Sequence, residues 1–268
     1  MIIKNKHLNL KQIAESGQTF RWYPHNEGYV IVSNHQALFA KQLDDGIEID
    51  SEDDYWLEYF DIGRDYQEII DYYKGKDVFL DEAMSYGSGV RILKQDPFEI
   101  IVSFIISANN NIKRIASAME RLSLYGTYLK TIDGIDYYDF PTPEQLRDVT
   151  VEDYRKCGLG YRDKYLHQLI QDILDREFDP NKIICLSDKE LKEALLRLKG
   201  VGEKVANCII LFGYDRTDGF PIDTWIKKVL NQKYNVDKNE ADFIKDYFDY
   251  YPGIIQQYLF FYGRHMKI

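Results

Sequence analysis

The sequence predicts an α+β fold, in which a small N-terminal antiparallel β-sheet domain is followed by a larger all-α domain. Between residues 20 and 50, short apolar or alternating segments are separated by turn-forming residues, as in antiparallel strands. From about Asp81 onward, apolar residues instead recur at the spacing of amphipathic helices. We therefore expect one domain over residues 1–82 and a second over residues 83–268.

The predicted strands are short, and each ends at residues that favour turns. They are FRWY, YVIVS, QALFAKQ and GIEID, and the breaks between them are PHNEG, SNH and DDG. The segment that follows, SEDDYWLEYFDIGRDYQEIIDYYKG, has helical spacing and an acidic polar face.

Helical patterns fill most of the second domain. DPFEIIVSFIISANNNIKRIASAMERLSLYG contains a long apolar helix, a polar break at Asn109–Asn111 and an amphipathic helix. A further helix begins after PTPEQLRD, and DKYLHQLIQDILDREF is another. In LSDKELKEALLRLKG, Ser187 and Glu190 have the spacing of a capping box. We also expect helices over residues 203–212, 224–233 and 253–262.

Composition indicates a globular protein, with 45% apolar and 29% charged residues in a chain of 268. No apolar run approaches the ~18 residues of a membrane span, and MIIKNKHLNLKQ lacks a signal-peptide core. Cys157, Cys185 and Cys208 form no CxxC pair and no iron–sulfur spacing. We expect an intracellular protein with free thiols and no membrane partner.

The formal charge of −10 argues, on average, against binding to nucleic acid. The charge is nevertheless segregated along the chain. Acidic residues are dense between Asp44 and Asp71 and between Asp237 and Asp249, whereas basic residues recur in VRILK, NNIKR, YRDKY and IKKVLNQK. One basic face on an otherwise acidic protein is compatible with DNA binding.

In the stretch LKGVGEKVANC, residues 198–208, one predicted helix ends and the next begins almost at once, which places a hairpin near residues 196–204. Gly200 can adopt a positive φ at the helix end, and Gly202 permits close approach of another backbone. Free N–H groups at the start of the second helix would then hold a phosphate, which makes Gly200, Val201 and Gly202 a candidate DNA-backbone hairpin. A plain αα-corner is the alternative.

Lys204 and Cys208 lie four residues apart, on one face of the second helix. The other positions of this helix are apolar, which predicts that it is buried. Burial of a lysine is costly and favours the neutral amine, which is a nucleophile. The alternative is a lysine whose charged end reaches solvent. Asp223 follows 19 residues after Lys204, in the segment Phe-Pro-Ile-Asp, at the N-cap of the next helix.

This combination of a GVG hairpin, a lysine and a later Pro-Ile-Asp resembles the helix-hairpin-helix DNA glycosylase superfamily. Further blocks resemble its 8-oxoguanine DNA glycosylases, namely SGQTFRW, QDPFEIIVSFIISANNNIKRI and GLGYR. The resemblance covers nearly the whole chain. It implies that the larger domain is a helix-hairpin-helix (HhH-GPD) glycosylase domain and that the partner is double-stranded DNA containing 8-oxoguanine.

The resemblance also implies a bifunctional chemistry. Lys204 matches the family's nucleophile, whose amine attacks the sugar C1′, expels the base and leaves a Schiff base. That intermediate permits β-elimination, so an AP lyase activity is expected. Asp223 matches the family's aspartate, which can stabilise positive charge on the sugar and assist proton transfers.

Four residues match the family's contacts to the flipped base. The backbone carbonyl of Gly17 would accept a hydrogen bond from N7–H of 8-oxoguanine. Guanine cannot donate this bond, because its N7 is an acceptor. Cys208 and Phe260 would pack against the two faces of the base, and Gln256 would bond its Watson–Crick edge, although Gln257 is only one position away. An ammonium at Lys204 and a thiolate at Cys208 would form a local dipole opposed to that of the base.

Another four residues match those that contact the opposite strand. Asn109, Arg114 and Arg162 would hold the orphaned cytosine, and Tyr161 would fill the gap in the duplex. Each arginine could instead be a phosphate contact or a solvated charge. With both arginines present, we expect a preference for cytosine opposite the lesion.

The resemblance implies no required cofactor and no iron–sulfur cluster. Relatives hold a monovalent cation at the hairpin, which would fall on the backbone carbonyls of Leu196, Leu198 and Val201. The chain departs from the best-known eukaryotic members at Trp225, where they have histidine, so the resemblance does not imply a phosphate contact at this position. We expect a monomer in the cytoplasm or nucleoid of a prokaryote, or in the nucleus of a eukaryote.

Two other functions compete with this interpretation. A monofunctional glycosylase for other damaged bases would use water activated by the aspartate, and Lys204 argues against it. A non-catalytic DNA-binding module would use the hairpin alone, and it leaves Asp223 and SGQTFRW unexplained. A small-molecule enzyme has no support, because the sequence contains no GxGxxG and no P-loop.

Overall fold

A computed structural model describes residues 1–267 of the chain. Its N-terminal part is built around a five-stranded antiparallel sheet in the order β1-β5-β4-β3-β2. The strands are β1 (Ile2–Lys4), β2 (Trp22–His25), β3 (Gly28–Ser33), β4 (Gln36–Leu43) and β5 (Gly46–Ile49). The four strands expected from the sequence are confirmed.

Two features of this sheet explain its register and its edge. Asn26 and the pair Asn34–His35 adopt positive φ in the tight turns that join β2 to β3 and β3 to β4. The extra strand β1 pairs with β5, with Ile3 opposite Ile47. Strand β1 has only three residues, too few to show the alternation of apolar and polar residues that predicts a strand. Only its pairing with β5 reveals it.

Thirteen helices account for most of the remaining described residues. They are α1 (Leu10–Glu15), α2 (Tyr55–Tyr59), α3 (Tyr66–Tyr73), α4 (Val78–Tyr86), α5 (Pro97–Ser107), α6 (Ile112–Ser123), α7 (Val151–Lys156), α8 (Asp163–Leu174), α9 (Asp188–Leu196), α10 (Glu203–Tyr214), α11 (Thr224–Tyr234), α12 (Glu240–Tyr247) and α13 (Pro252–His265). None of the helices within residues 1–267 is long and apolar enough to cross a membrane.

The helices predicted from spacing agree with this set, with local differences. The capping box at Ser187 and Glu190 is confirmed at the start of α9. The acidic segment over residues 51–75 is two helices rather than one, because Asp61 takes a positive φ and pairs with Arg64 between α2 and α3. The short helices α1, α4 and α12 were not predicted.

The larger domain is not all-α, which corrects the prediction. Strands β6 (Tyr128–Ile132) and β7 (Ile135–Tyr138) form an antiparallel hairpin in its middle. Asp133 and Gly134 both have positive φ at its turn, the geometry that an Asp-Gly pair favours. A sequence signal for the hairpin is therefore present in TIDGIDYY.

Three apolar cores organise the chain. One face of the sheet packs with α1 and α2, and the opposite face packs against the β6–β7 hairpin through Val30, Val32 and Tyr137. The largest core lies among the helices and includes α3 and α4, through residues such as Tyr66 and Leu80. The two larger cores interleave along the chain, since Phe20 belongs to the helical core and Leu93 to the core of the sheet, and the expected boundary at 82/83 falls inside α4.

A buried arginine joins the two parts. The Arg91 guanidinium is fully buried and donates hydrogen bonds to the backbone carbonyls of His7, Phe60, Asp61 and Arg64. It also lies over the Tyr66 ring, with its guanidinium carbon 4.0 Å from the ring centroid. Because unpaired buried carbonyls are costly, this residue ties the end of α2 to the helical core.

Candidate active site

A cleft of about 1040 Å³ opens between the two parts of the protein. Its walls come from the segment after α1, the α5–α6 turn, the first turns of α10 and α11, and the last turns of α13. The lining includes Gly17, Asn109, Lys113, Lys204, Asp223, Trp225, Lys227, Phe260 and Arg264.

Lys204 occupies the first turn of α10 and is exposed at this cleft, as in the alternative of a lysine whose charged end reaches solvent. The rest of the helix is buried, including Val205, Ala206 and Ile209. Side chains on a helix tilt toward its N-terminus, so a first-turn residue can reach past the helix start into the open although the rest of the helix is buried. Full desolvation of the amine must therefore come from the ligand.

Asp223 lines the same cleft as Lys204, from the N-cap of α11. As the N-cap, its Oδ1 accepts a hydrogen bond of 2.8 Å from the backbone N–H of Ile226. Only this oxygen is engaged by residues 1–267. The capping role holds the carboxylate at the cleft wall, next to the positive end of the helix dipole.

Cys208 lies one turn below Lys204 and is buried. Burial raises the pKa of its thiol to about 11, the Lys204 charge opposes that shift, and Asp223 adds to it. The thiol is therefore protonated at neutral pH. The expected dipole between a Cys208 thiolate and the Lys204 ammonium therefore does not form in the free protein. The cost of desolvating the thiolate outweighs its attraction to the lysine charge.

Gly17 and Phe260 meet at one end of the cleft. Gly17 has a φ of +79°, and a Cβ placed on it would lie 3.6 Å from Cε1 of Phe260. Thus the SGQ segment and the end of α13 come together although they are at opposite ends of the chain. This places a glycine backbone next to an aromatic ring on the cleft wall.

Gln256 lies on the same helix as Phe260, but it does not line the cleft. It is buried, and its Oε1 accepts a 3.1 Å hydrogen bond from Nε2 of Gln257, which is buried as well. The Oε1 atom of Gln257 has no partner among residues 1–267. Both amides are therefore buried and lie outside the cleft lining in the free protein.

The residues expected at the opposite strand lie together at the α5–α6 turn and before α8. Asn109 lines the cleft with a φ of +49°, and Tyr161 is 53% exposed. Arg114 is exposed on the first turn of α6, outside the cleft lining. Arg162 is only 5% exposed, and its guanidinium donates to the carbonyls of Ala108, Asn109 and Leu159.

The hairpin joins α9 to α10 with two glycines in different situations. Gly200 has a φ of +87°, and a Cβ there would lie 2.5 Å from Cδ2 of Tyr165. Gly202 is the N-cap of α10, has no side-chain cap, and would place a Cβ in open space. The backbone N–H of Val201 donates to the Leu198 carbonyl. The α10 N-terminus is therefore open to an approaching acceptor.

Three charged residues of the cleft lining were not assigned a role from sequence, namely Lys113, Lys227 and Arg264. With Lys204 they are the four cationic side chains that line the cleft, and Asp223 is its acidic one. Arg264 follows Phe260 by four residues, a helical spacing that could have placed both on one face. Among residues 1–267, no group of three or more His, Cys, Asp or Glu side chains is placed to hold a metal ion.

The hairpin, the exposed lysine and the aspartate of the same cleft define a base-excision type of DNA glycosylase fold, and comparison with known families identifies it. Residues 1–101 match the N-terminal domain family of 8-oxoguanine DNA glycosylases, and residues 102–247 match the HhH-GPD superfamily of base excision DNA repair proteins. The chain belongs to the HhH-GPD superfamily and carries the N-terminal domain characteristic of 8-oxoguanine DNA glycosylases. The resemblance found in the sequence is confirmed.

Individual relatives agree with this family. The chain is 30% identical to a probable N-glycosylase/DNA lyase of Methanothermobacter thermautotrophicus, over 78% of this chain and 74% of that protein. It is 37% identical to N-glycosylase/DNA lyase OGG1 of Arabidopsis thaliana over 58% of this chain. The matched region spans 43% of the length of that relative.

A solved structure also covers the chain. The 8-oxoguanine glycosylase/lyase of Clostridium acetobutylicum, in complex with double-stranded DNA containing cytosine opposite 8-oxoguanine, superposes with a TM-score of 0.92. It is 35% identical over 100% of this chain and 99% of that one. A 3-methyladenine DNA glycosylase of Archaeoglobus fulgidus, at 19% identity and a TM-score of 0.79, shares the fold.

Proposed function

We propose that this chain is a bifunctional DNA repair glycosylase that excises 8-oxoguanine, preferentially opposite cytosine, and then cleaves the strand as an AP lyase. The observation that carries the proposal is that Lys204 and Asp223 open into one cleft with Gly17 and Phe260. The full-length similarity to a solved 8-oxoguanine glycosylase/lyase supports the substrate class.

Lys204 is the proposed nucleophile. Its exposed Nζ can reach a sugar placed over the cleft, where the neutral amine forms a bond to C1′ as the bond from C1′ to N9 breaks. Opening of the sugar ring then gives a Schiff base between Lys204 and the deoxyribose. Loss of a C2′ proton and departure of the 3′-phosphate complete the β-elimination.

Asp223 is proposed to stabilise this reaction electrostatically. One carboxylate oxygen is held by the Ile226 N–H, so the group stays in position as positive charge develops on the sugar. The carboxylate can also assist transfer of a proton from the lysine amine. Its proximity to the cationic lining makes it the acidic group that the cleft offers for this role.

Base recognition is proposed at the Gly17 end of the cleft. Phe260 would cover one face of the flipped base, and the Gly17 backbone would accept from N7–H. Cys208 and Gln256 are buried and do not line the cleft in the free protein, so their proposed contacts require side chains to rearrange when the base enters.

Recognition of the opposite strand is proposed for Asn109, Arg114, Arg162 and Tyr161. Arg162 would exchange its hydrogen bonds with the Ala108 and Asn109 carbonyls for bonds to the orphaned cytosine. We expect single-turnover excision to be fastest opposite cytosine. Equal rates opposite all four bases would contradict this part of the proposal.

The remaining proposals concern the state of the protein. We propose that it acts as a monomer without a required cofactor, in the compartment that holds the cell's DNA. A monovalent cation would be held by the carbonyls of Leu196, Leu198 and Val201. Hydrogen bonding to the Val201 N–H leaves the Leu198 oxygen one lone pair for such a cation.

The decisive experiment is borohydride trapping on a duplex with 8-oxoguanine opposite cytosine. We expect a covalent protein–DNA band with the wild type and none with Lys204→Gln or with an undamaged duplex. Lys189→Gln is a matched control, because Lys189 is exposed on α9 and does not line the cleft. It should form the band as the wild type does.

Two outcomes would favour the competing functions. Release of the base without a trapped band would indicate a water nucleophile and hence a monofunctional glycosylase. Binding with neither a band nor base release would indicate a non-catalytic DNA-binding module.

A further inference from the structure

Arg264 occupies the base end of the cleft without an assigned role. It lies on α13 and lines the cleft one turn after Phe260. Its guanidinium carbon is 5.7 Å from the centroid of the Phe260 ring, and its Nη1 is 3.8 Å from the position of a Cβ on Gly17. The guanidinium is therefore next to both the aromatic ring and the glycine backbone.

The guanidinium is incompletely paired. Its Nη1 atom is buried and has no hydrogen-bond partner among residues 1–267. Arg264 forms no ion pair within the described part of the chain, and nearby Glu15 contacts His265 instead, at 3.7 Å. Burial lowers the pKa of Arg264, and the charges of Glu15 and Asp223 oppose that shift.

An unpaired buried donor is costly, so a partner is expected when the site is filled. Arginine can only donate hydrogen bonds and keeps its charge. An acceptor atom on a ligand that enters between Phe260 and Gly17 would supply the missing partner.

The proposed substrate carries such an acceptor at that place. In 8-oxoguanine, the N7–H donor and the C8 oxygen are adjacent on one edge, whereas guanine has an acceptor at N7 and a C–H at C8. A backbone carbonyl at Gly17 satisfies N7–H and leaves the C8 oxygen unpaired. Left without a donor in a closed pocket, that oxygen would weaken binding.

We propose that Arg264 donates an N–H hydrogen bond to the C8 oxygen of the flipped 8-oxoguanine, beside the Gly17 carbonyl. This inference rests on the proposed function and assigns a further specificity-determining residue to it. The two groups would read both atoms that oxidation changes. Guanine in the same position would present a C–H to Arg264 and leave its donor unpaired.

The test compares two lesions that differ only at the acceptor. One duplex contains 8-oxoguanine opposite cytosine, and the other contains 8-thioguanine, which keeps N7–H but has sulfur, a weaker acceptor, at C8. Single-turnover excision is measured with the wild type and with Arg264→Met. β-Elimination at a preformed abasic site, which carries no base, is measured with both. Arg147→Met, an exposed arginine outside this cleft, is the matched control.

We expect Arg264→Met to slow excision of 8-oxoguanine by about 10- to 100-fold, the range for a charge-assisted hydrogen bond. Excision of 8-thioguanine and β-elimination at the abasic site should fall much less. The preference of the wild type for oxygen over sulfur should therefore shrink, whereas Arg147→Met should keep it.

Other outcomes would overturn the inference. An unchanged oxygen-to-sulfur preference would show that Arg264 does not contact the C8 oxygen. Equal losses on both lesions and on the abasic site would indicate a phosphate contact. If circular dichroism shows that Arg264→Met is unfolded, Arg264→Ala, which also lacks a donor, takes its place, with the same ratio as the criterion. Failure of the wild type to release 8-oxoguanine would reject the proposed function itself.

Discussion

At the scale of single residues, Lys204 and Cys208 show how neighbours on one helix face acquire different properties. Lys204 stands at the first turn and reaches the open cleft, whereas Cys208 is one turn further in and buried. A spacing of four residues puts two side chains on one helix face but does not say which of them is exposed. Only the position of the helix start relative to the cleft separates an exposed amine from a buried thiol.

We expect this difference to appear in thiol labelling. Burial raises the pKa of both Cys208 and Cys157, whereas Cys185 is exposed. At pH 8 an alkylating reagent should modify Cys185 rapidly and leave the two buried thiols intact until the protein unfolds. Peptide mass spectrometry gives the rate at each site. Modification of Cys208 as fast as Cys185 would contradict the buried, protonated state.

Glu99 is a second residue whose environment dominates its chemistry. It lies in the first turn of α5, its side chain is 19% exposed, and it pairs with Nη1 of the buried Arg21 at 3.1 Å. Burial raises the pKa of Glu99 to about 7, Arg21 opposes the shift, and Asp96 and Asp139 add to it. The folded protein therefore keeps a proton that the unfolded chain releases near the ordinary glutamate pKa of 4.5.

The sign of the pH dependence follows from this difference. Between about pH 4.5 and pH 7 the folded state binds more protons, so the free energy of unfolding falls as pH rises, by ~3 kcal/mol at most. Glu99→Gln removes this titration, and its stability should fall less across the same window. Urea unfolding at several pH values measures the two slopes. Parallel profiles for the two proteins would refute the expectation.

At the scale of elements, the hairpin between α9 and α10 gives its two glycines separate tasks. Gly200 makes the turn possible, because its φ is positive and the Tyr165 ring occupies the space of a side chain. Gly202 leaves the N-terminus of α10 uncovered. The sequence predicted a role for both glycines. It could not show that the Tyr165 ring from α8 leaves no room for a side chain at Gly200.

The two alanine variants should therefore fail in different ways. Gly200→Ala should lower the free energy of unfolding by about 2 kcal/mol or more, from backbone strain and the clash with Tyr165. Gly202→Ala should cost less than about 1 kcal/mol, because its φ is negative and its Cβ is unobstructed. Its affinity for an abasic-site duplex should nevertheless fall, since the methyl group covers the helix start. Urea unfolding and fluorescence anisotropy separate the effects, and equal stability losses would contradict them.

At the scale of the whole molecule, an acidic protein presents a basic cleft. The formal charge is −10, yet the cleft is lined by Lys113, Lys204, Lys227 and Arg264 against Asp223. The opposing charge is carried by other surfaces. DNA binding therefore depends on a local field and on backbone N–H groups rather than on net charge.

A moderate salt dependence follows. With four cationic side chains at the cleft and about 0.9 counterions released per phosphate neutralised, the slope of log K against log salt should lie between about −2 and −4. Lys227→Gln should reduce its magnitude by about one. Anisotropy titrations at several salt concentrations test this, and a slope of about −6 or steeper would require phosphate contacts outside the cleft.

The sequence by itself determined those features whose causes are local. Residues that are close along the chain set the helix starts at Ser187 and Asp223 and the glycine turn at Gly200. They also set the order of the family's sequence blocks. The Asp133–Gly134 hairpin belongs to the same class, since its signal is local although the hairpin was not predicted.

Tertiary structure alone decided which side chains are free. The Arg162 guanidinium is occupied by the carbonyls of a turn more than fifty residues earlier, and Gln256 is buried outside the cleft lining, where it bonds Gln257. Arg264 meets Gly17 from the other end of the chain. Burial and pairing are sums over neighbours that are distant in sequence, so no local pattern predicts them, and the chemistry of the cleft follows from how the two parts of the chain pack.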